Sequence, residues 1–267
     1  MNAKKKPRLG SAVKFIVLAA YLVVVMFPFY WMLNTSLKGS MTELYSFPVT
    51  YWPKAPSWDN YIEILWKGNF LTYLRNSLLY SAIASVVAVA VGACAGYVLS
   101  RFEFRGKRVI LIYFLVTQMI PIFTILIPMY QALTALHLRD SFAVLPLLYI
   151  NMCIPFSVVT LRGFYANVPI SLEEAAQIDG CTRIGSMLRI ALPIMKPGIA
   201  ATFIFDFINS WNELFMATYF IDTEKFKTIT VGLNSLILKY DVKWGEMAAG
   251  SILAVIPTIV QIGRAHV

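Results

Sequence analysis

Four polar residues interrupt an otherwise apolar run near the C-terminal third of the chain. Asp206, Asn209, Ser210 and Glu213 recur at i, i+3, i+4 and i+7, so a helix places them on one face, with Asn212 at its edge. Acids inside an apolar helix cost roughly 2.5–3.5 kcal/mol each on insertion scales and normally face protein or water. Such a face has two uses: hydrogen bonds between helices, or the polar wall of a translocation path. Covalent chemistry has little to stand on. The only histidines are His137 and His266, and no nucleophile–histidine pair or His/Cys metal set exists. No GxxxxGK[ST] occurs either, so the chain lacks a phosphate cradle and is not expected to hydrolyse ATP.

The elements that must position this face are membrane spans. The 267 residues are 58% hydrophobic and only 14% charged, too apolar for an ordinary soluble domain. The net charge of +9 would suit nucleic acid in a soluble chain; in a membrane chain it reports basic cytoplasmic loops. Cys94 and Cys153 fall in apolar runs and Cys181 in a polar insert, so all three are expected to be free and packed.

Six spans are expected: about 13–33, 77–99, 109–132, 142–161, 198–220, and a last one from Glu246 or Met247. The first follows a basic segment, residues 1–12, and is read as an uncleaved span because no small-x-small cleavage site follows it. Between the first two spans lies a polar, aromatic loop, with a short interfacial helix expected over 59–66 and Trp58, Tyr61 and Trp66 as surface anchors. In the second span Gly92 and Gly96 form a GxxxG, which admits close approach of another helix. Pro121 and Pro128 in the third span and Pro146 and Pro155 in the fourth are read as bends. The last span is expected to be truncated. Ile262 to Val267, IGRAHV, is what one frame of a common sequencing adapter encodes and is expected to be non-native, leaving 13–261 as the membrane domain.

Charge orients the chain. With the N-terminus in the cytoplasm, the inside segments hold thirteen Lys/Arg against four acids, and the outside loops nine against eight. The short basic loop 100–108 carries the strongest orienting signal. Residues 162–197 then lie inside.

That inside segment has helical periodicity of its own. Ser171 and Glu174 have the spacing of a capping box, followed by Leu172, Ala175 and Ala176 on one face. Asp179-Gly180 stops the helix, and Thr182 caps a second one with the stripe Ile184, Met187, Leu188, Ala191 and Leu192, ended by Pro193. On periodicity alone this is an amphipathic hairpin that could equally lie on the lipid surface.

The residues resemble something more specific. Glu174-Ala175-Ala176, three residues, Gly180, nine residues, Ile190, one residue, Leu192-Pro193 is similar to the EAA loop of binding-protein-dependent ABC importers. The one departure is Cys181 where a small residue such as Ala is usual. TSLK near Asn34, Ser210-Trp211-Asn212-Glu213 and the stretch Thr228–Leu233 resemble the maltose-type sugar branch of these permeases. The resemblance implies an all-α bacterial inner-membrane subunit whose cytoplasmic helix-turn-helix, between the fourth and fifth spans, docks on an ATPase through Glu174, Ala175, Ala176, Gly180, Ile184, Met187, Leu188, Ile190, Leu192 and Pro193. It implies a second, different permease subunit, two cytoplasmic ATPase subunits that hold ATP and Mg, an extracytoplasmic solute-binding protein, and a sugar as solute. No cofactor is expected on this chain itself. Asp206, Asn209, Ser210, Asn212 and Glu213 would line the path, with Trp211 either stacking on a sugar ring or anchoring at the interface. Two other readings stay open: the same architecture for a polyol, glycerol phosphate or peptide, and a secondary transporter or channel.

Overall fold

The computed structural model describes residues 8–237 and 242–265, and all statements below concern those residues. The beginning of the basic N-terminal segment (1–7), part of the last loop (238–241) and the end of the C-terminal hexapeptide (266–267) lie outside them. The elements are all helical: α1 (Arg8–Ser36), α2 (Met41–Leu44), α3 (Asp59–Ile62), α4 (Phe70–Arg101), α5 (Lys107–Thr117), α6 (Ile122–Ala135), α7 (Val144–Ala166), α8 (Ile170–Ile178), α9 (Arg183–Ser186), α10 (Leu192–Ile194), α11 (Lys196–Trp211), α12 (Phe215–Phe220), α13 (Ile229–Asn234) and α14 (Trp244–Ala265). Only two isolated bridges, Lys38 with Pro56 and Ile237 with Val242, represent β pairing among the described residues.

Three helices are long and apolar enough to cross a membrane: Val13–Ser36, Phe70–Arg101 and Val144–Ala166. Two bent pairs raise the number to five if each is one span.

The predicted third span is one of these pairs. α5 and α6 meet at 96° across residues 118–121. Pro121 has extended backbone (ψ 131) and cannot donate, and it disfavours helix at the residue before it. Pro155 and Pro128 instead lie inside unbroken helices, α7 and α6. No residue of α5 is buried, so nothing opposes the break there.

The predicted fifth span also breaks. α11 ends at Trp211, and α12 restarts at Phe215.

The chain divides into two compact units. One comprises residues 1–68 and 235–255. In it, Asn60 Nδ2 donates to the carbonyls of Ser36 and Lys38, both at 2.9 Å, and fixes the turn that leaves α1. The predicted interfacial helix is present as α3 and a following π turn over Glu63–Lys67. Trp58 and Trp66 are exposed, whereas the Tyr61 hydroxyl is committed to Ser36 Oγ at 2.8 Å.

The second unit comprises residues 69–234 and 256–267. Its centre is the contact of α4 with α7. Ser77, Ser81, Ser85, Ala88, Gly92 and Gly96 are all buried, one stripe of small residues down α4. α11 packs across both helices. One buried cluster gathers around Tyr80, Leu145, Tyr149 and Phe220, and another around Tyr97, Leu161, Tyr165 and Met195. Asn76 Nδ2 closes the first end by donating to the carbonyls of Lys225 and Lys227.

Candidate functional site

Both groups of residues singled out by sequence lie in the second unit. The hairpin begins two residues earlier than its capping pattern suggests. Pro169, with φ −58 and ψ 128, takes the N-cap position of α8, and no side chain caps that end. Ser171 is therefore already inside the helix, and the expected Ser171–Glu174 box does not form. The buried face also differs from the expected one. Glu173 and Ala176 face inward, while Leu172, Glu174 and Ala175 are exposed.

Sequence reasoning passed over Glu173, and it is the best-held side chain of the hairpin. Arg101 Nε donates to Glu173 Oε1 at 2.8 Å, and Tyr97 OH donates to Oε2 at 2.8 Å. A second Arg101 nitrogen donates to the Val168 carbonyl at 2.9 Å. The two charged side chains are only 8% and 3% exposed. Their types and sequence positions gave one signal: a basic residue ends the second span and two acids open the hairpin.

The turn and second helix follow expectation more closely. Gly180 has φ +91, and Cys181 N–H donates to the Ala176 carbonyl at 2.9 Å. Thr182 caps α9 by accepting from Gly185 N–H at 3.0 Å. Pro193 does not end this helix. A π turn over Met187–Ala191 widens the backbone just ahead of the missing donor, and the helix runs on to Ile194. There it meets α11 at 76°. Ala191 and Met195 are buried, and Met187, Ile190 and Leu192 half-buried. Ile178, Ile184 and Leu188 are bare, at 86%, 70% and 53% exposure. The hairpin thus offers an uncovered apolar face on a short, polar-rimmed frame.

The polar face of α11 divides in two. Asp206 and Ser210 turn inward to α7: Ser157 Oγ donates to Asp206 Oδ2 at 2.5 Å, and Cys153 Sγ lies 3.5 Å from Ser210 Oγ. Asn209 and Glu213 instead line a cavity of about 570 Å³, together with Tyr113, Gln118, Asn151 and Phe156. Asn212 is exposed and does not line it. Glu213 also restarts the helix. Its carboxylate accepts from Met216 N–H at 2.7 Å and Ala217 N–H at 3.1 Å, the open donors of the first turn of α12. Tyr149 OH donates to it as well, at 3.2 Å.

Gln118 and Asn151 belong with this set although sequence reasoning did not single them out. Each is a lone amide in an apolar run, which was the available signal. Trp211 is neither a free stacking platform nor an interfacial anchor. It is buried and stacks on Phe207, centroids 5.7 Å apart.

Of the cysteines only Cys153 is packed as expected; Cys94 is exposed and Cys181 half-buried. Among the described residues no cluster of three or more His, Cys, Asp or Glu side chains is placed to hold a metal.

The chain superposes on a chain of a bacterial ABC transporter involved in the import of the acidic polysaccharide alginate, with a TM-score of 0.83 at 19% identity, covering 100% of this chain and 98% of that one. Residues 88–263 match the binding-protein-dependent transport system inner membrane component family, and the chain belongs to it. It is 33% identical over 245 residues to the inner membrane ABC transporter permease protein YcjP of Escherichia coli strain K12, covering 91% of this chain and 87% of that protein. It is 32% identical over 236 residues to the diacetylchitobiose uptake system permease protein DasC of Streptomyces coelicolor, covering 88% and 85%.

Proposed function

We propose that this chain is one permease subunit of an ATP-driven importer in a bacterial inner membrane, and that its solute is a sugar or oligosaccharide. The observation that carries the proposal is the bare Ile178/Ile184/Leu188 face of the hairpin. An apolar face held on a rigid polar-rimmed turn is what a protein partner covers. On this reading the hairpin lies in the cytoplasm and fits an ABC ATPase, with Glu174, Ala175, Ala176 and Gly180 setting its shape. ATP hydrolysis then belongs to two partner ATPase subunits and not to this chain. A second permease subunit completes the path, and an extracytoplasmic solute-binding protein delivers the solute.

The sugar assignment is supported by what the relatives carry: diacetylchitobiose in the Streptomyces coelicolor system and alginate in the structural neighbour. The cavity chemistry agrees with it. The amides of Gln118, Asn151 and Asn209 both donate and accept, and Tyr113 and Phe156 supply aromatic faces, which suits polyhydroxylated rings. The path on this reading uses Asn209 and Glu213 directly. Asp206 and Ser210 hold its wall to α7, and Asn212 lies at its margin.

Six spans complete the proposal: α1, α4, the α5–α6 pair, α7, α11 with α12, and α14. The N-terminal segment 1–12 is cytoplasmic, 13–261 is the membrane domain, and the hexapeptide after it carries no function.

Single cysteines at Phe104 and Ala55, in a background without the native three, test the orientation. An impermeant thiol reagent on intact cells should label residue 55 and spare residue 104. Labelling at 104 and not at 55 would overturn it. Purification of the chain from its native membrane should bring the ATPase with it, and absence of any ATPase would return the hairpin to the lipid-surface reading.

A further inference from the structure

The hairpin is joined to the rest of its unit in two unlike ways. At α8 the joint is a closed polar clamp. Arg101 bonds Glu173 in the body of the helix and the Val168 carbonyl just before it, so both the start and the direction of α8 are fixed from α4. Tyr97 adds a third bond to Glu173 and meets Tyr165 of α7 edge-on at 5.3 Å. The planar guanidinium suits this forked geometry, which a lysine would not reproduce. At the other end the joint is apolar: Met187, Ala191, Leu192 and Met195 pack against the Val89, Ala93 and Tyr97 cluster. Met195 separates α10 from α11 at a 76° bend, with no ion pair across it among the described residues.

A buried ion pair contributes little to stability compared with well-packed apolar side chains, yet loss of one partner leaves an uncompensated charge. Its use is geometric. We propose that Arg101, Glu173 and Tyr97 are positioning residues that make the hairpin and α4 one rigid body. A push on the hairpin then reaches α4, a lever of 32 residues and about 48 Å. From α4 it passes to α7 through the Gly92 and Gly96 contacts, while the Met195 joint takes up the changing angle to α11. The proposal rests on the hairpin being the surface that the ATPase meets.

The test uses the assembled complex with its own partner subunits. Spin labels go on Val98 of α4 and Ser171 of α8, both exposed, in a chain lacking its three cysteines. The label-to-label distance is measured at rest and after trapping with ATP and vanadate. One narrow distance, the same in both states, is expected. Arg101→Gln and Glu173→Gln should each broaden it and cut the stimulation of ATP hydrolysis by the solute-binding protein, purified with the solute it carries, by about tenfold. The ATPase should still co-purify with both. Arg101→Glu combined with Glu173→Arg should restore part of the narrow distribution, and Tyr97→Phe should broaden it less than either single variant. A wild-type distance that changes on trapping would overturn the proposal, as would single variants that keep both the narrow distance and full stimulation. Variants that shed the ATPase would make the clamp a folding element and overturn it too. Failure of the functional reading looks different: the unaltered chain would then bring down no ATPase at all.

Discussion

Gly92 of α4 lies against Ser157 of α7 so closely that a Cβ built on the glycine would fall 2.7 Å from the serine Cβ. One helical turn on, a Cβ on Gly96 would sit 2.8 Å from the backbone nitrogen of Arg162. These distances leave no room for a methyl group, and both positions also face backbone, which cannot rotate away: a Cβ on Gly92 would lie 2.9 Å from the Ser157 carbonyl carbon. Close approach of the two helices also brings Ser157 within reach of Asp206, so helix spacing and the polar contact to α11 are set together.

Substitution in this seam should therefore be costly. Gly92→Val and Gly96→Val should each destabilise the chain, because at both positions the obstacle includes backbone that cannot yield. Overpacking of this kind costs about 1–3 kcal/mol. Thermal midpoints of the purified protein in detergent should fall for both. Equal midpoints to the wild type would mean that α4 and α7 do not meet as described.

Asp206 and Asn209 are expected to fail differently. Asp206 accepts from Ser157 inside the bundle, so Asp206→Leu leaves that hydroxyl without its acceptor, at a cost of about 1–3 kcal/mol. Adding Ser157→Ala should recover much of the loss, since removing both partners is nearly neutral. Asn209→Leu should leave the thermal midpoint in place and lower solute uptake, because its amide faces the cavity and makes no hydrogen bond among the described residues. Uptake unchanged in Asn209→Leu would remove the cavity from the path.

How far the sequence reaches is clearest at these positions. The Gly92/Gly96 seam was legible because small residues four apart leave one possible use, close packing. The division of Asp206 from Asn209 was not. A period count assumes a straight helix and cannot say which of two adjacent sides meets α7. Glu173 was missed for a related reason. Glu173 and Glu174 are neighbours about 100° apart around the helix, and only the partners Arg101 and Tyr97 decide which of them faces inward. The prolines were seen but not ranked. Pro155 and Pro121 look alike in sequence, yet Pro155 lies inside α7 and Pro121 stands at the N-terminal end of α6.

A pH-dependent tie lies outside the spans. Asp140, in the link between α6 and α7, accepts from the Asp222 and Thr223 N–H groups at 3.0 and 2.9 Å and from the Thr223 hydroxyl at 2.5 Å. Burial alone would raise its pKa, but the Thr223 and Asp222 hydrogen bonds and the neighbouring Arg139 outweigh burial and hold it below the usual carboxylate range. A depressed carboxylate stabilises the fold fully above its unfolded pKa, and that contribution is lost as pH falls through the lowered value. The Thr223 amide should therefore stay protected from hydrogen exchange down through the ordinary aspartate range. Asp140→Ala should expose it at every pH. Protection that already vanishes above that range in the wild type would contradict the assignment.

The hairpin turn offers the most direct test of coupling. Gly180 holds φ +91, a conformation that a branched side chain adopts only with strain, yet nothing lies within 4 Å of where its Cβ would be. Any penalty must come from the backbone and not from a clash. Gly180→Val should redirect the second helix and turn Ile184 and Leu188 away from their partner. Gly180→Asn should be mild, because asparagine tolerates this region. Glu174→Ala should be milder than Gly180→Val for a different reason: Glu174 caps nothing and is exposed, so its removal deletes at most a contact to the partner. The measurement is co-purification of the ATPase with each variant, and binding-protein-stimulated ATP hydrolysis in the complexes that form. Loss with valine and retention with asparagine would locate the cause in the turn's backbone. Full retention and full stimulation with Gly180→Val would mean that the hairpin's shape does not matter to the ATPase, and the bare apolar face would then be lying on lipid.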